Sequence, residues 1–260
     1  MNTFSALTFN LRFGLAADDG PARWEVRKKS VAALFQQHPA DFIALQEAND
    51  FQIDFLGEVL KQYNFIGKRL PAPAFWQNNV IFYKAPWKCL AMDHFYLSPT
   101  PSIPSRFRKS RWPRQCTIGL FKNGERRLLC INTHFDFDAR VRVNSARLIL
   151  ERLSAYPPDM AAVLMGDFNA TPEGDCYKIF TTPPANESDR KPVFKNAFKH
   201  PYPGTHHGFT GISRDEHIDW ILYRGDMNPE NSLVLADCFN GIFPSDHFPV
   251  KVIFRWAGND

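Results

Sequence analysis

Short apolar runs rich in β-branched and aromatic residues recur along the whole chain, and each stops at polar residues before reaching the length of a buried helix. They lie at Phe4 to Phe9, Phe42 to Leu45, Asn79 to Tyr83, Thr117 to Phe121, Leu128 to Thr133 and Ala161 to Met165. Further runs at Ile218 to Tyr223, Ser232 to Asp237 and Pro249 to Phe254 carry the pattern to the C-terminus. Their lengths and flanks predict buried strands over the full sequence. Between them, Val31, Leu34 and Phe35 recur at helical spacing, as do Ala146, Ile149, Leu150 and Leu153, and Asp50 to Tyr63 forms a third candidate helix. Helices alternating with strands, with hairpin-like strand pairs in the middle, predict an α/β fold of two packed sheets covered by helices on their outer faces.

A chain of 260 residues, 44% apolar and 14% aromatic, can bury one large core, so a single domain over 1–260 is expected. Two proline-rich polar stretches, Ser98 to Arg114 and Thr181 to Gly204, read as long loops rather than linkers. The formal charge of +4 mildly favours an anionic substrate but is not the dense basic stripe of a duplex binder. Cys89, Cys116, Cys130, Cys176 and Cys238 are widely spaced, without a Cys-x-x-Cys pair, and read as reduced structural thiols. No signal-like segment opens the chain, and no run reaches the ~18 apolar residues of a membrane span. A cytoplasmic protein, monomeric by default, is the expectation.

The chemistry lies where polar residues interrupt strand ends. Asn10 closes the first run, Glu47 follows Phe42-Ile-Ala-Leu-Gln, and His134 follows Leu129-Cys-Ile-Asn-Thr. Asp167 and Asn169 follow Ala162-Val-Leu-Met-Gly, Asp219 interrupts His217-Ile-Asp-Trp, and Asp246 with His247 precedes Phe248-Pro-Val. Singly, each has a turn or capping explanation. Together they are harder to explain away, because burying an uncompensated charge is costly, and they are expected to converge on one cleft.

In order along the chain, Thr8-Phe-Asn-Leu-Arg12, Leu45-Gln-Glu-Ala48, Ile131-Asn-Thr-His134, Gly166-Asp-Phe-Asn169, Ile218-Asp-Trp220 and Ser245-Asp-His-Phe-Pro249 resemble the motifs of the endonuclease/exonuclease/phosphatase superfamily. The resemblance implies a four-layer α/β sandwich and a metal-dependent phosphoesterase. It implies that Glu47 binds magnesium or manganese, assisted by Asn10, with Asp246 as a further oxygen ligand. It assigns Asp167 to activating the attacking water, Asn169 to orienting the phosphate, His134 to an oxygen of the phosphate, and His247, held by Asp219, to the scissile phosphate. The sequence departs from the abasic-site endonuclease branch in two places. Asn10 is followed by Leu-Arg-Phe-Gly, and a histidine, His134, stands where that branch places a tyrosine. Asp19-Gly-Pro-Ala-Arg-Trp-Glu-Val-Arg27 and Thr205-His-His-Gly-Phe209 instead resemble a bacterial-type subgroup.

Arg106, Arg108, Lys109, Arg111 and Arg114, interleaved with Phe107 and Trp112, form a basic loop suited either to gripping a polynucleotide or simply to solvation. Arg114 is the candidate phosphate contact within it, and His207 is a second candidate substrate contact. A phosphodiesterase or nuclease is therefore the leading expectation, with a phosphate ester as substrate and nucleic acid among the candidates. A phosphatase of small phosphorylated molecules or lipid headgroups is the alternative. A non-catalytic phosphate-binding module is disfavoured because none of the motif residues is lost. A zinc hydrolase is disfavoured because His206-His207 and the scattered cysteines supply no ligand cluster.

Overall fold

The computed structural model describes residues 2–70, 72–183, 193–214 and 216–258. The strands are β1 (Thr3–Asn10), β2 (Phe42–Ala48), β3 (Tyr63–Ile66), β4 (Asn78–Lys84), β5 (Lys88–Tyr96) and β6 (Gln115–Asn123). They continue as β7 (Arg126–His134), β8 (Ala162–Asp167), β9 (Lys195–Asn196), β10 (Asp219–Arg224), β11 (Met227–Val234) and β12 (Val250–Trp256). The helices are α1 (Trp24–Gln37), α2 (Asp50–Val59), α3 (Ala139–Leu153) and α4 (Asp175–Thr181). One sheet has the order β11-β12-β1-β2-β4-β3 and the other β5-β6-β7-β8-β10-β9.

β1 shows why the central runs are apolar throughout. Phe4 and Ala6 face a core shared by both sheets, with Phe42, Phe121, Val163, Ile221 and Phe254. Leu7 and Phe9 face the other way, onto Val31, Leu34 and Phe35 of α1 and Ile53 and Leu56 of α2. A strand buried on both faces loses the apolar-polar alternation of a half-exposed one. The second sheet repeats the arrangement, with Ile131 and Leu164 packed against Ala146, Ile149 and Leu153 of α3 and Phe180 of α4. Each of these fully buried large side chains contributes roughly 1.5–3 kcal/mol. The result is the expected four-layer sandwich.

Several boundaries differ from the sequence reading. The helix expected over Asp50 to Tyr63 ends at Val59. Tyr63 instead opens β3, pairs with Lys84 and donates its hydroxyl to the Ala40 carbonyl at 2.8 Å. The strand expected over Ser232 to Asp237 is β11, Met227–Val234, whose register shifts between Pro229 and Asn231. Ser98 to Arg114 contains no helix or strand. Of Thr181 to Gly204, residues 184–192 lie outside the described residues, and β9 falls within the rest.

Strand direction sets the site. β1 and β2 are parallel with Asn10 opposite Gln46, and β7 and β8 are parallel with His134 opposite Asp167. β10 begins at Asp219, antiparallel to β8 and opposite Asp167, and β12 begins beside the end of β1. The polar strand ends of both sheets therefore meet at one end of the sandwich.

Candidate active site

Unusual backbone conformations shape this end of the fold. Arg12, Glu47 and Asn169 all have positive φ, near 59°, 60° and 48°, a region that side chains with a Cβ enter only when their surroundings hold them there. At Glu47 the bend coincides with a register shift in the β2–β4 pairing, and the side chain accepts the Phe13 N–H at 2.7 Å. Gly166 has φ near 155°, and a Cβ on it would lie 2.0 Å from the Thr133 carbonyl oxygen. Only glycine fits there, and its place in β8 sets the position of Asp167.

Asn10 stands between the two carboxylates. Its Nδ2 donates to Asp167 Oδ2 at 2.9 Å and to Glu47 Oε1 at 3.3 Å, while its Oδ1 accepts the Arg12 N–H. Its amide nitrogen thus spaces the two acids, and its oxygen keeps a second lone pair beside the Arg12 N–H. Asp167 also accepts the Asn169 N–H at 2.9 Å. Burial, reinforced by Asp219, pushes the Asp167 carboxyl up to about 7, against the opposing influence of His247, Asn10 and the Asn169 N–H.

His247 Nδ1 lies 2.8 Å from Asp219 Oδ2, and its Nε2 lies 3.9 Å from Asp167 Oδ2. Burial disfavours charge on this ring, but Asp219, Asp167 and Asp246 outweigh it and raise the imidazole to about 10. At neutral pH His247 is therefore an imidazolium donating to Asp219. Asp246 takes an ion pair from Arg12 at 3.3 Å and a hydrogen bond from the Ser245 hydroxyl. Burial opposes its charge, yet His247, Arg12 and His206 hold it below the usual carboxylate range.

His134 behaves oppositely. Its Nδ1 lies 2.9 Å from Arg114 Nη1, and its Nε2 lies 3.1 Å from Asn169 Nδ2, whose orientation is fixed by donation to the Phe135 carbonyl. Burial and these neighbours, Arg114 and His247 above all, hold its pKa well below the ordinary value, so the ring is neutral. Nε2 is also 3.4 Å from Asp167 Oδ2. Two imidazoles of opposite charge state thus flank one carboxyl, which is how environments assign acid and base roles to like groups.

The basic loop is divided in its use. Arg106 donates to the Ser110 and Arg111 carbonyls, and buried Asp136 accepts from the Ser110 hydroxyl and the Arg111 N–H. These bonds fold the loop onto the body of the protein. Arg111, Trp112 and Arg114 then line a cleft of about 560 Å³ with Arg12, Glu47 and His134. Arg108 and Lys109 do not line it.

His207 requires a correction. Its ring stacks on Phe248 at 3.9 Å, it is 2% exposed, and its Nδ1 accepts the Gly211 N–H. Burial pushes it down to about 4, so it is a neutral structural imidazole away from the cleft. Its neighbour His206, not singled out from the sequence as a substrate contact, lies 4.8 Å from the His247 ring. The only sequence signal was the paired histidines, and adjacent residues in an extended segment face opposite ways.

A family model for the endonuclease/exonuclease/phosphatase family matches residues 7–247. The chain belongs to this family. No curated protein sequence matches it. A family member from Bacteroides thetaiotaomicron is 26% identical, with a TM-score of 0.86 over 98% of both chains. A mannosyl-6-phosphatase of the same species is also 26% identical at a TM-score of 0.86, over 97% of this chain and 100% of that one. Zebrafish (D. rerio) TDP2, in complex with a single-stranded DNA product, shares the fold at 14% identity and a TM-score of 0.76, over 98% and 100% of the two chains. No helix among the described residues is long and apolar enough to cross a membrane.

Enzymes of this family generally depend on a divalent metal, and the donor set can be tested against that. Among the described residues, two groups bring three ligand atoms within 4.8 Å of one another: Asp167, Asp219 and His247, and His206, Asp246 and His247. The fold thus brings His206 beside His247, where the sequence reading saw no ligand cluster in His206-His207 and the scattered cysteines. Both groups share His247, whose Nδ1 is already 2.8 Å from Asp219 Oδ2, as in a histidine oriented by a carboxylate. Glu47, outside both groups, and Asp246 offer oxygen alone, which suits a hard cation such as magnesium or manganese.

Proposed function

We propose that this chain is one catalytic domain that hydrolyses phosphate esters of small molecules by direct attack of water, with magnesium or manganese as cofactor. The observation that carries the reading is the buried line from Asp219 through His247 to Asp167, ending beside Asn10 and Glu47. Glu47 and Asp246 would hold the ion, with Asn10 spacing Glu47 from Asp167. When bound, the ion would neutralise charge developing on the phosphoryl oxygens.

The chain's own residues account for the rest. Asp167, with a proton affinity near neutrality, takes a proton from the attacking water. The Asn169 N–H holds Oδ1 of that carboxylate, and its side-chain amide, held by the Phe135 carbonyl, would give the phosphate the proton that now faces His134 Nε2. The His247 imidazolium, fixed by Asp219, donates to a phosphoryl oxygen as negative charge grows there. Neutral His134, its ring nitrogens 2.9 Å from Arg114 Nη1 and 3.1 Å from Asn169 Nδ2, accepts from one of them only and stands on the side of the leaving group, whose oxygen takes a proton from solvent as the P–O bond breaks; Arg114 adds positive charge to the same wall.

The folded basic loop favours a small ester over a long polynucleotide, because Arg106 is spent on its own loop and Arg108 and Lys109 stand outside the cleft. The mannosyl-6-phosphatase among the similar structures agrees with that choice. A nuclease is the second reading, favoured by the Arg111 guanidinium 5.7 Å from the Trp112 ring at the cleft. Buried Cys116, Cys130 and Cys176, each unpaired, suit a reducing compartment, so we assign the enzyme to the cytoplasm.

The test is turnover of sugar phosphates, inositol phosphates, phospholipids, DNA and RNA with added magnesium or manganese. Hydrolysis of a small ester, abolished reversibly by chelation and reduced by Glu47→Gln, is the expected result. Full activity in exhaustively metal-free protein sinks the mechanism, and activity confined to polynucleotides, with a steep salt dependence, moves the chain to the nuclease branch.

A further inference from the structure

Three aromatic side chains lie exposed along the cleft that contains Glu47 and His134. Phe75 is 65% exposed, Trp112 52% and Phe137 58%, and all three line the same cavity. Large exposed aromatics gathered at one cavity mark a binding surface, because each leaves apolar area in water that a ligand could cover. Two of them stand on backbone tied to Asp136. Trp112 sits on the loop segment fastened to Asp136, with its carbonyl accepting the Ser110 hydroxyl at 2.6 Å. Phe137 follows Asp136 directly, and the Arg114 guanidinium lies 5.8 Å from its ring.

Below this rim the wall is polar and incompletely paired. Trp76 and Gln115 line the cavity, and Trp76 Nε1 and Gln115 Oε1 are buried without a hydrogen-bond partner. Gln115 is 2% exposed and its amide nitrogen is committed to the Gln77 carbonyl; its oxygen has only a weak approach from the His94 ring and keeps acceptor capacity. A buried donor and a buried acceptor left unpaired in one wall each carry a desolvation cost that a hydroxyl-bearing ligand can relieve. The cavity volume of about 560 Å³ accommodates a ring-sized leaving group beside the phosphate but not a duplex.

Resting on the small-ester reading above, we infer that Phe75, Trp112 and Phe137 form the leaving-group subsite and that it takes a pyranose ring. The sugar's apolar C–H face lies on Trp112, and its hydroxyls turn towards the Gln115 and Trp76 side of the wall. The phosphate is then delivered to Arg114 and His134 at the inner end. A nucleobase would use the aromatic faces alike, but its edge is flat and its polar groups lie in one plane. A pyranose presents hydroxyls around an apolar face, matching a cleft with aromatics at the rim and unpaired polar atoms in the wall.

The experiment compares wild type, Trp112→Ala and Trp112→Phe on three esters: a hexose 6-phosphate, glycerol 3-phosphate and a nucleoside 5′-monophosphate. Calorimetric binding of the hexose ester is measured alongside turnover. The ratio of kcat/KM for the hexose ester to that for the glycerol ester is expected to fall about tenfold in Trp112→Ala, through KM, and to be largely restored in Trp112→Phe. A fall shared by both esters, or none, overturns the subsite, and a fall confined to the nucleotide reassigns it to a base. If wild type hydrolyses none of the three but binds the hexose ester in a Trp112-dependent way, the subsite stands and the hydrolytic reading falls. If it neither binds nor hydrolyses the hexose ester, the inference is wrong.

Discussion

At the scale of single residues, the site is governed by charges that set one another. Asp219 has one buried oxygen on His247 and the other without a partner, so its contribution runs through that ring. Asp219→Asn and His247→Ala are each expected to lower kcat by about a hundredfold or more, and the double variant to be little worse than the poorer single one. Fully multiplicative losses in folded protein would mean that another group orients His247. The same pairing has a thermodynamic signature. His247 titrates near 10 in the fold against 6.5 unfolded, so its contribution to stability is full below pH 6.5 and is lost as the pH rises through 10. The Tm advantage of wild type over His247→Gln, measured without metal, should therefore shrink across that window. An advantage that is constant with pH would refute the charged ring.

At the scale of elements, precision comes from backbone that only certain residues can adopt. Gly166 lets β8 pass the Thr133 carbonyl of β7 with no Cβ between them. Gly166→Ala should destabilise the fold by about 3 kcal/mol or more in denaturant titration, since the clash and the strained φ act together. A loss under about 1 kcal/mol would show that the two strands can part cheaply. Such positions also explain what could be read from the sequence. β1, β2, β7 and β8 were legible because burial on both faces makes them largely continuous apolar runs, β12 because Val250, Val252, Phe254 and Trp256 alternate with less buried residues, and the motifs marked their ends. β5 was not, because it is an edge strand with Leu90 and Met92 exposed and a register shift between Cys89 and Ala91 that breaks its alternation. α4, seven residues long, buries Cys176 and Phe180 alone and offers too short a stripe to recognise. At the site, the residue types were legible but their partners were not. Asn10 and Asp167 meet across 157 positions, and nothing local distinguishes His206, beside the His247 ring, from His207, stacked on Phe248. Arg106 likewise looks like a ligand contact until its own loop's carbonyls are seen to claim it.

At the scale of the whole molecule, the site is a seam between the two sheets. Asn10 and Glu47 come from one sheet, His134, Asp167 and Asp219 from the other, and Asp246 and His247 from the segment returning to the first. Polar bonds already cross this seam: Gln46 donates to Asn132 at 2.7 Å, and Asn132 donates to the Leu45 and Val80 carbonyls at 2.8 Å. Arg27, fully buried, ties the Leu11 and Arg12 carbonyls of one strand end to the Pro244 carbonyl beside Asp246. An ion held between Glu47 and Asp246 would join the β2 end to that returning segment, a geometry that exists only in the folded chain. Binding to the folded state alone adds about 2.7 kcal/mol at a hundredfold excess over Kd. For a chain of this size that corresponds to a rise in Tm of roughly 5–10 °C. Manganese or magnesium should thus raise Tm in a concentration-dependent manner in the absence of substrate, and Glu47→Gln should suppress most of the rise. A Tm that does not respond to metal, in protein whose turnover requires it, would mean that the ion arrives bound to the substrate and that Glu47 does not hold it in the resting enzyme.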